Sequence, residues 1–203
     1  LTGFWASQWK YMQFTFTEAN LLPDNHPENV LYQSFVKTFG EEGNVIVIAV
    51  EDSDFFSPEK RNSWRKLNDS ITDFKEINFV LSIDNIQELI KDSKEEKFTL
   101  ENVKLSAATD SAGLSKFKEK LFLELPFYNN LVFNSENNTI RTLIYMDPDI
   151  VNTAARKDFI FNTFIPLIEA FEEETKMDVR VSGMPYIRTL NAQNIVDEIG
   201  LFI

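Results

Sequence analysis

Two acidic pairs each follow a strand-like run: Asp52-Ser53-Asp54 after "NVIVIAV" and Asp147-Pro148-Asp149 after "TIRTLIYM". An Asp-x-Asp at a strand end can hold a divalent cation and, through it, the phosphates of a nucleotide or nucleotide sugar. The same tripeptides are common turn and helix-cap sequences, because an Asp side chain accepts from the backbone N–H two residues on. The one histidine, His26, lies in "DNHPEN" and reads as a loop residue ahead of a helix. The chain has no Cys, which excludes disulfides, thiolate metal sites and Cys nucleophiles. Neither G-x-G-x-x-G, Walker A nor G-x-S-x-G occurs. Lys60, Arg61, Arg65 and Lys66 in "EKRNSWRKL" read as the solvated face of an amphipathic helix. Asn68-Asp69-Ser70 and Asn137-Asn138-Thr139 fit the glycosylation pattern.

Charge narrows the partners. The formal net charge of −12 repels phosphate backbones, so nucleic acid is not an expected partner. It also keeps the chain off anionic lipid headgroups. Because basic residues are retained on the cytoplasmic side of membranes, an acidic domain favours the outer side. The 203 residues, 43% hydrophobic, suffice for one real core, and most of the 19 Phe belong in it.

Periodicity places these residues on elements. Met12, Phe14 and Phe16 alternate with polar residues as in a strand. A helix is predicted from Pro27 to Phe39, with Leu31, Phe35 and Phe39 on one face and Gly40 as its cap. "NVIVIAV", Asn44 to Val50, is continuously apolar and β-branched, the mark of a central strand. Ser57 and Pro58 open a helix that carries Trp64, Leu67, Ile71 and Phe74. A second strand is Ile77–Ile83. Asp84–Tyr128 reads as an insertion with helical pieces, "NIQELIKD" and "LSKFKEKLFLEL", the latter stopped by Pro126. A hairpin turns at "SENN" into a strand over Thr139–Met146. A long helix is predicted over about Thr153–Thr175, bent by Pro166 inside it, and Met177–Ser182 is the last strand.

Without the insertion the order is strand, helix, strand, strand, helix, strand. That is the split βαβ, or ferredoxin-like, motif, an α+β fold. In it the first strand begins at the sheet end where the last one finishes. It also sets the two acidic pairs roughly 17–20 Å apart, a strand length, so they cannot share a metal. Trp5, Trp9 and Tyr11 resemble an interfacial aromatic belt. Ile195, Val196, Ile199, Phe202 and Ile203 form an apolar helical face that broadens as the sequence stops. Both ends are therefore read as cuts with a membrane span beyond each. The expected organisation is a membrane-proximal segment over 1–19, a domain over 20–184 with its insertion at about 84–128, and a helical lead-in to a second span over 185–203.

"NLLPDNHPENVLYQSFVKTFGEEGNVIVIAVEDSDFFSPE", Asn20 to Glu59, resembles the first extracytoplasmic loop of RND-superfamily exporters, in particular the MmpL-type and hydrophobe/amphiphile efflux branch. The matching features are Leu22-Pro23-Asp24, a helix ending in Phe39-Gly40, the strand Val45–Val50 and the helix start Phe55-Phe56-Ser57-Pro58-Glu59. "FVLSI" and "VRVSGMP" resemble later strands of the same loop, the second leading through Gly183 and Pro185 toward a membrane helix. The resemblance implies a porter domain of a proton-driven exporter of lipids or other amphiphiles. It would lie on the periplasmic side of the inner membrane and work with the remaining membrane and porter domains, as an oligomer where the full-length protein forms one. It implies no enzyme activity and no cofactor, and the proton-relay carboxylates would lie in membrane helices. A cargo path needs apolar side chains the core does not consume, and Phe55, Phe56, Phe127 and Tyr128 are the candidates. The competing readings are a metal- and nucleotide-sugar-dependent enzyme using Asp52 and Asp54, and a membrane-anchored sensor domain.

Overall fold

The computed structural model describes residues 22–23, 25–39, 43–92, 97–103 and 109–201. The predicted strand at Met12–Thr17, the aromatic set Trp5, Trp9 and Tyr11, the cap Gly40, and Phe202 and Ile203 lie outside the described residues. So do the side chains of Phe39 and Ile199.

The chain is α+β with antiparallel sheets. Helix α1 (Pro27–Phe39) precedes β1 (Val45–Glu51), α2 (Pro58–Thr72) and β2 (Ile77–Leu81). A hairpin of β3 (Gln87–Asp92) and β4 (Lys97–Asn102) follows, then α3 (Ser111–Glu124) and a 3₁₀ turn at Pro126–Tyr128. The short β5 (Phe133–Asn134) turns into β6 (Thr139–Met146). The chain then forms α4 (Pro148–Val151), α5 (Ala154–Phe159), a π turn (Ile160–Phe164), α6 (Ile165–Thr175), β7 (Val179–Ser182) and α7 (Met184–Leu201). No helix among the described residues is long and apolar enough to cross a membrane.

The main sheet has the order β2-β6-β1-β7, with β5 paired to β6 and every pairing antiparallel. β1 is central, as its unbroken apolar run requires. One face carries Ile46, Ile48 and Val50 of β1, beside Ile140, Ile144 and Met146 of β6 and Val80 of β2. Trp64, Leu67 and Ile71 of α2 and Phe164, Ile168 and Phe171 of the π turn and α6 complete that core. Trp64 joins the layers, its ring edge-on to Phe55 at 5.8 Å and to Phe171 at 5.8 Å. The opposite face presents Val47, Leu143 and Tyr145, half-buried, with exposed Phe79 against Tyr145.

One sequence expectation requires correction. "NIQELIKD" is not helical: Gln87–Asp92 is a strand, paired residue for residue with Lys97–Asn102. The insertion is therefore a β-hairpin followed by a helix, rather than helical throughout. A short apolar run has no decisive period, and the pairing partner settles its state. The expected helix over Thr153–Thr175 forms over 154–175, with helical backbone carried through Phe159, Ile160, Phe164 and Ile165. It widens into the π turn immediately before Pro166, where the helix accommodates the missing N–H of that residue. On α1, Leu31 is 70% exposed and Phe35 42% exposed.

Val47 of β1 pairs with Ser182 of β7, so the start of β1 and the finish of β7 share one end of the sheet. Gly183 makes this crossing possible. Its φ is +112°, and a Cβ there would lie 2.2 Å from the Val45 carbonyl oxygen. Gly43, at φ +75°, sits beside Met184 at the same end, with ordinary room for a Cβ at 3.4 Å. Gly183→Ala is therefore expected to cost at least about 2 kcal/mol, from backbone strain plus overpacking against main chain. Gly43→Ala should cost only about 1 kcal/mol, from φ alone. Urea unfolding of the two variants checks the ranking; equal losses would contradict it.

Candidate functional site

The loop after β1 and the start of α2 form one wall of a groove of about 620 Å³, and α3 forms the other. Phe56, Phe122 and Leu123 give it an apolar floor, and Ser57, Ser111 and Ser115 place hydroxyls along it. The loop Asp52–Ser57 is held by its own side chains. The Asp52 carboxylate accepts from the Asp54 N–H at 2.8 Å and from Lys60 Nζ at 2.7 Å. Lys60 also stands 3.7 Å from Asp54. Burial pushes the Asp52 carboxyl up, but Lys60 and the Asp54 N–H outweigh it and hold the group below its ordinary value. The hydrogen bond to Asp52 raises Lys60 correspondingly, against its partial desolvation.

This clamp decides the role of the first acidic pair. Both oxygens of Asp52 are engaged, one by backbone and one by an ammonium, which is the geometry of a turn tied to the first turn of a helix. Asp147 likewise accepts from the Asp149 N–H at 2.8 Å and caps α4. The register sets the pairs at opposite ends of the sheet, since Glu51 lies opposite Thr139 and Val45 opposite Tyr145. No group of three or more His, Asp or Glu among the described residues is arranged to hold a metal ion. His26 accepts from the Glu28 N–H through Nδ1 at 3.3 Å, at the start of α1. Ser57 occupies the cap position of α2 without a side-chain cap bond.

The four candidate path residues separate. Phe55 is fully buried, edge-on to Trp64, and belongs to the core. Phe56, its neighbour, lines the groove and meets Phe117 and Phe122 edge-on at 6.2 and 6.0 Å. Phe127 is 80% exposed on the 3₁₀ turn and is not part of the groove. Tyr128 is structural: its hydroxyl donates to the Gln87 carbonyl at 2.8 Å and accepts from the Gln87 N–H at 3.1 Å, tying β3 to the turn. Sequence reading missed Lys118 and Phe122. Their i,i+4 spacing on α3 sets them on one face, but nothing local shows that Phe56 meets them there.

The basic quartet on α2 departs from its sequence reading. Arg61 is only 1% exposed, not solvated. Arg61, Arg65 and Asn68 share a face at i, i+4 and i+7, and all three donate to Asp84 beyond β2, at 2.6, 3.2 and 3.2 Å. Ser82 adds a 3.4 Å bond to the same carboxylate. Asn68 in turn accepts from Thr142 of β6 at 3.0 Å, fully buried. Asn68 is thus an internal brace and not a glycosylation acceptor in the folded chain.

No family model matches the sequence, and no curated protein is significantly similar to it.

Two predictions test these arrangements. Asp84→Asn should cost about 3–5 kcal/mol, because it leaves the Arg61 charge buried against a neutral group. Arg65→Met, at a partly exposed position, should cost about 1 kcal/mol or less. Arg61→Met combined with Asp84→Leu should cost less than Asp84→Asn, since both charges leave together. Equilibrium unfolding of the set decides; a double variant that costs as much as Asp84→Asn would refute the charge pairing. Separately, the stability difference between the parent chain and Asp52→Asn should be complete above about pH 4, the unfolded value. It should close as pH falls through the lower folded value, because protonation discards the Lys60 bond. Urea titrations across acid pH read this; a gap independent of pH contradicts it.

Proposed function

We propose that this chain is an extracytoplasmic porter domain of a proton-driven exporter of lipids or other amphiphiles, built on a ferredoxin-like split βαβ core. β1, α2, β2, β6, α5–α6 and β7 follow the order of that motif, and β1 and β2 both run against β6 between them. The observation that carries the reading is the shared sheet end. Val47 opposite Ser182, with Gly183 against Val45, sets the start of β1 and the finish of β7 on one side. A domain strung between two membrane spans needs that geometry. The groove at Phe56 supports the cargo part: an apolar floor with a few polar groups is the usual form of a small-molecule site. Half-buried Val47, Leu143 and Tyr145 on the open sheet face fit contact with a neighbouring porter domain. The metal-enzyme reading finds less support, because Lys60 and the Asp54 N–H already engage Asp52.

The test uses the full-length protein reconstituted in vesicles with an imposed proton gradient. Amphiphile export should follow the gradient and collapse with an uncoupler. Phe56→Ser should lower it several-fold in a variant that remains folded, while Asp52→Asn leaves it largely intact. A full-length reading frame carrying a kinase or cyclase module instead of further membrane spans would refute the reading. So would the absence of gradient-driven amphiphile movement.

A further inference from the structure

We infer that the Phe56–Phe122 groove is a site for an amphiphilic cation, an ammonium carried on an apolar chain, and that Lys118 is its built-in placeholder. The Lys118 ammonium lies 5.6 Å from the Phe56 ring centroid and 5.7 Å from that of Phe122. Those rings stand at 87° to each other, 6.0 Å apart, so they form two walls of a corner. A cation within about 6 Å of an aromatic face is attracted by the ring quadrupole. Here two faces converge on one charge. The corner opens into the groove of about 620 Å³, within the size range of small-molecule sites.

Charge favours a cation over an anion. The groove is lined by two carboxylates, Asp54 and Glu119, against the single ammonium of Lys118. Lys60 stands 3.7 Å from Asp54 on its far side and is held mainly by Asp52 at 2.7 Å. The net charge of −12 adds a field that concentrates cations at the surface. A lysine ammonium is strongly hydrated and sits on a flexible stem, so releasing it to water is cheap. A ligand ammonium that takes its place keeps the ring contacts and adds what the lysine lacks, an apolar chain to lie along Phe122 and Leu123. Lys118 is then a competitor, not an anchor.

This inference rests on reading the groove as part of the cargo path, and its test is independent of transport. The chain is titrated with decyltrimethylammonium, decyl maltoside and decyl sulfate, each below its micellar concentration, with binding read by calorimetry and folding by circular dichroism. The cation is expected to bind saturably and more tightly than the neutral and anionic probes. Lys118→Met removes the competitor, so affinity for the cation should rise, while Phe56→Leu and Phe122→Leu should each lower it about 3- to 30-fold, the range of one ring's cation–π contribution. Lys118→Met is half-exposed and preserves the stem, so it keeps the test decisive if a Phe variant loses its fold. Equal affinity for all three probes would overturn the inference, as would failure of the cation to bind. Tighter binding of decyl sulfate that weakens in Lys118→Met would also overturn it, making the lysine an anion anchor. Cation binding without export by the full-length protein would leave the site standing and remove the porter reading. Export without cation binding would do the reverse.

Discussion

Asp84 fixes where α2 lies on the sheet. Its carboxylate receives Arg61, Arg65 and Asn68 from one face of the helix, and Asn68 passes the contact on to Thr142 in β6. Hydrophobic contact alone would let the helix slide, since Trp64, Leu67 and Ile71 meet a sheet face of interchangeable Ile and Val. A half-buried carboxylate with three donors at set spacing has one position of best fit. Its value lies less in net stability, because desolvating Asp84 and Arg61 offsets much of their attraction. It lies in penalising every other register, where a charge would stay buried without its partner.

The groove inherits its shape from that anchor. Arg61, while bonded to Asp84, lies over the Phe117 ring at 5.7 Å. Phe117 is a fully buried residue of α3 and meets Phe56 edge-on. One guanidinium therefore relates the wall made by the β1–α2 loop to the wall made by α3. Phe122 is held from behind by stacking on Phe133 at 5.3 Å, which fixes the second ring of the corner. Of the groove's charged side chains, Lys118 rests on rings rather than in a rigid ion pair, which suits a group that must move.

Much of this was legible in the sequence because the relevant signals are local. The apolar run of β1, the Pro58 start of α2 and the Ser-Glu-Asn-Asn turn before β6 each carry their own chemistry, and the structure has all three. The failures share a cause. "NIQELIKD" takes its state from Lys97–Asn102, and Arg61 is buried because of a carboxylate 23 positions away. Phe56 meets Lys118 and Phe122 only because α3 packs against the β1–α2 loop. Helical spacing shows which residues of an element share a face; it does not show what that face meets.

The two adjacent phenylalanines show how the fold turns composition into a site. Phe55 and Phe56 are chemically identical and successive, yet Phe55 packs on Trp64 in the core and Phe56 opens to the groove. The difference arises in the loop between them and β1. Asp52 turns the chain by accepting from Asp54, and Lys60 ties that turn to the first turn of α2. With the loop so fixed, Phe55 must enter the core and Phe56 cannot follow it. The acidic pair that looked like a metal site thus aims the aromatic ring on which the groove depends.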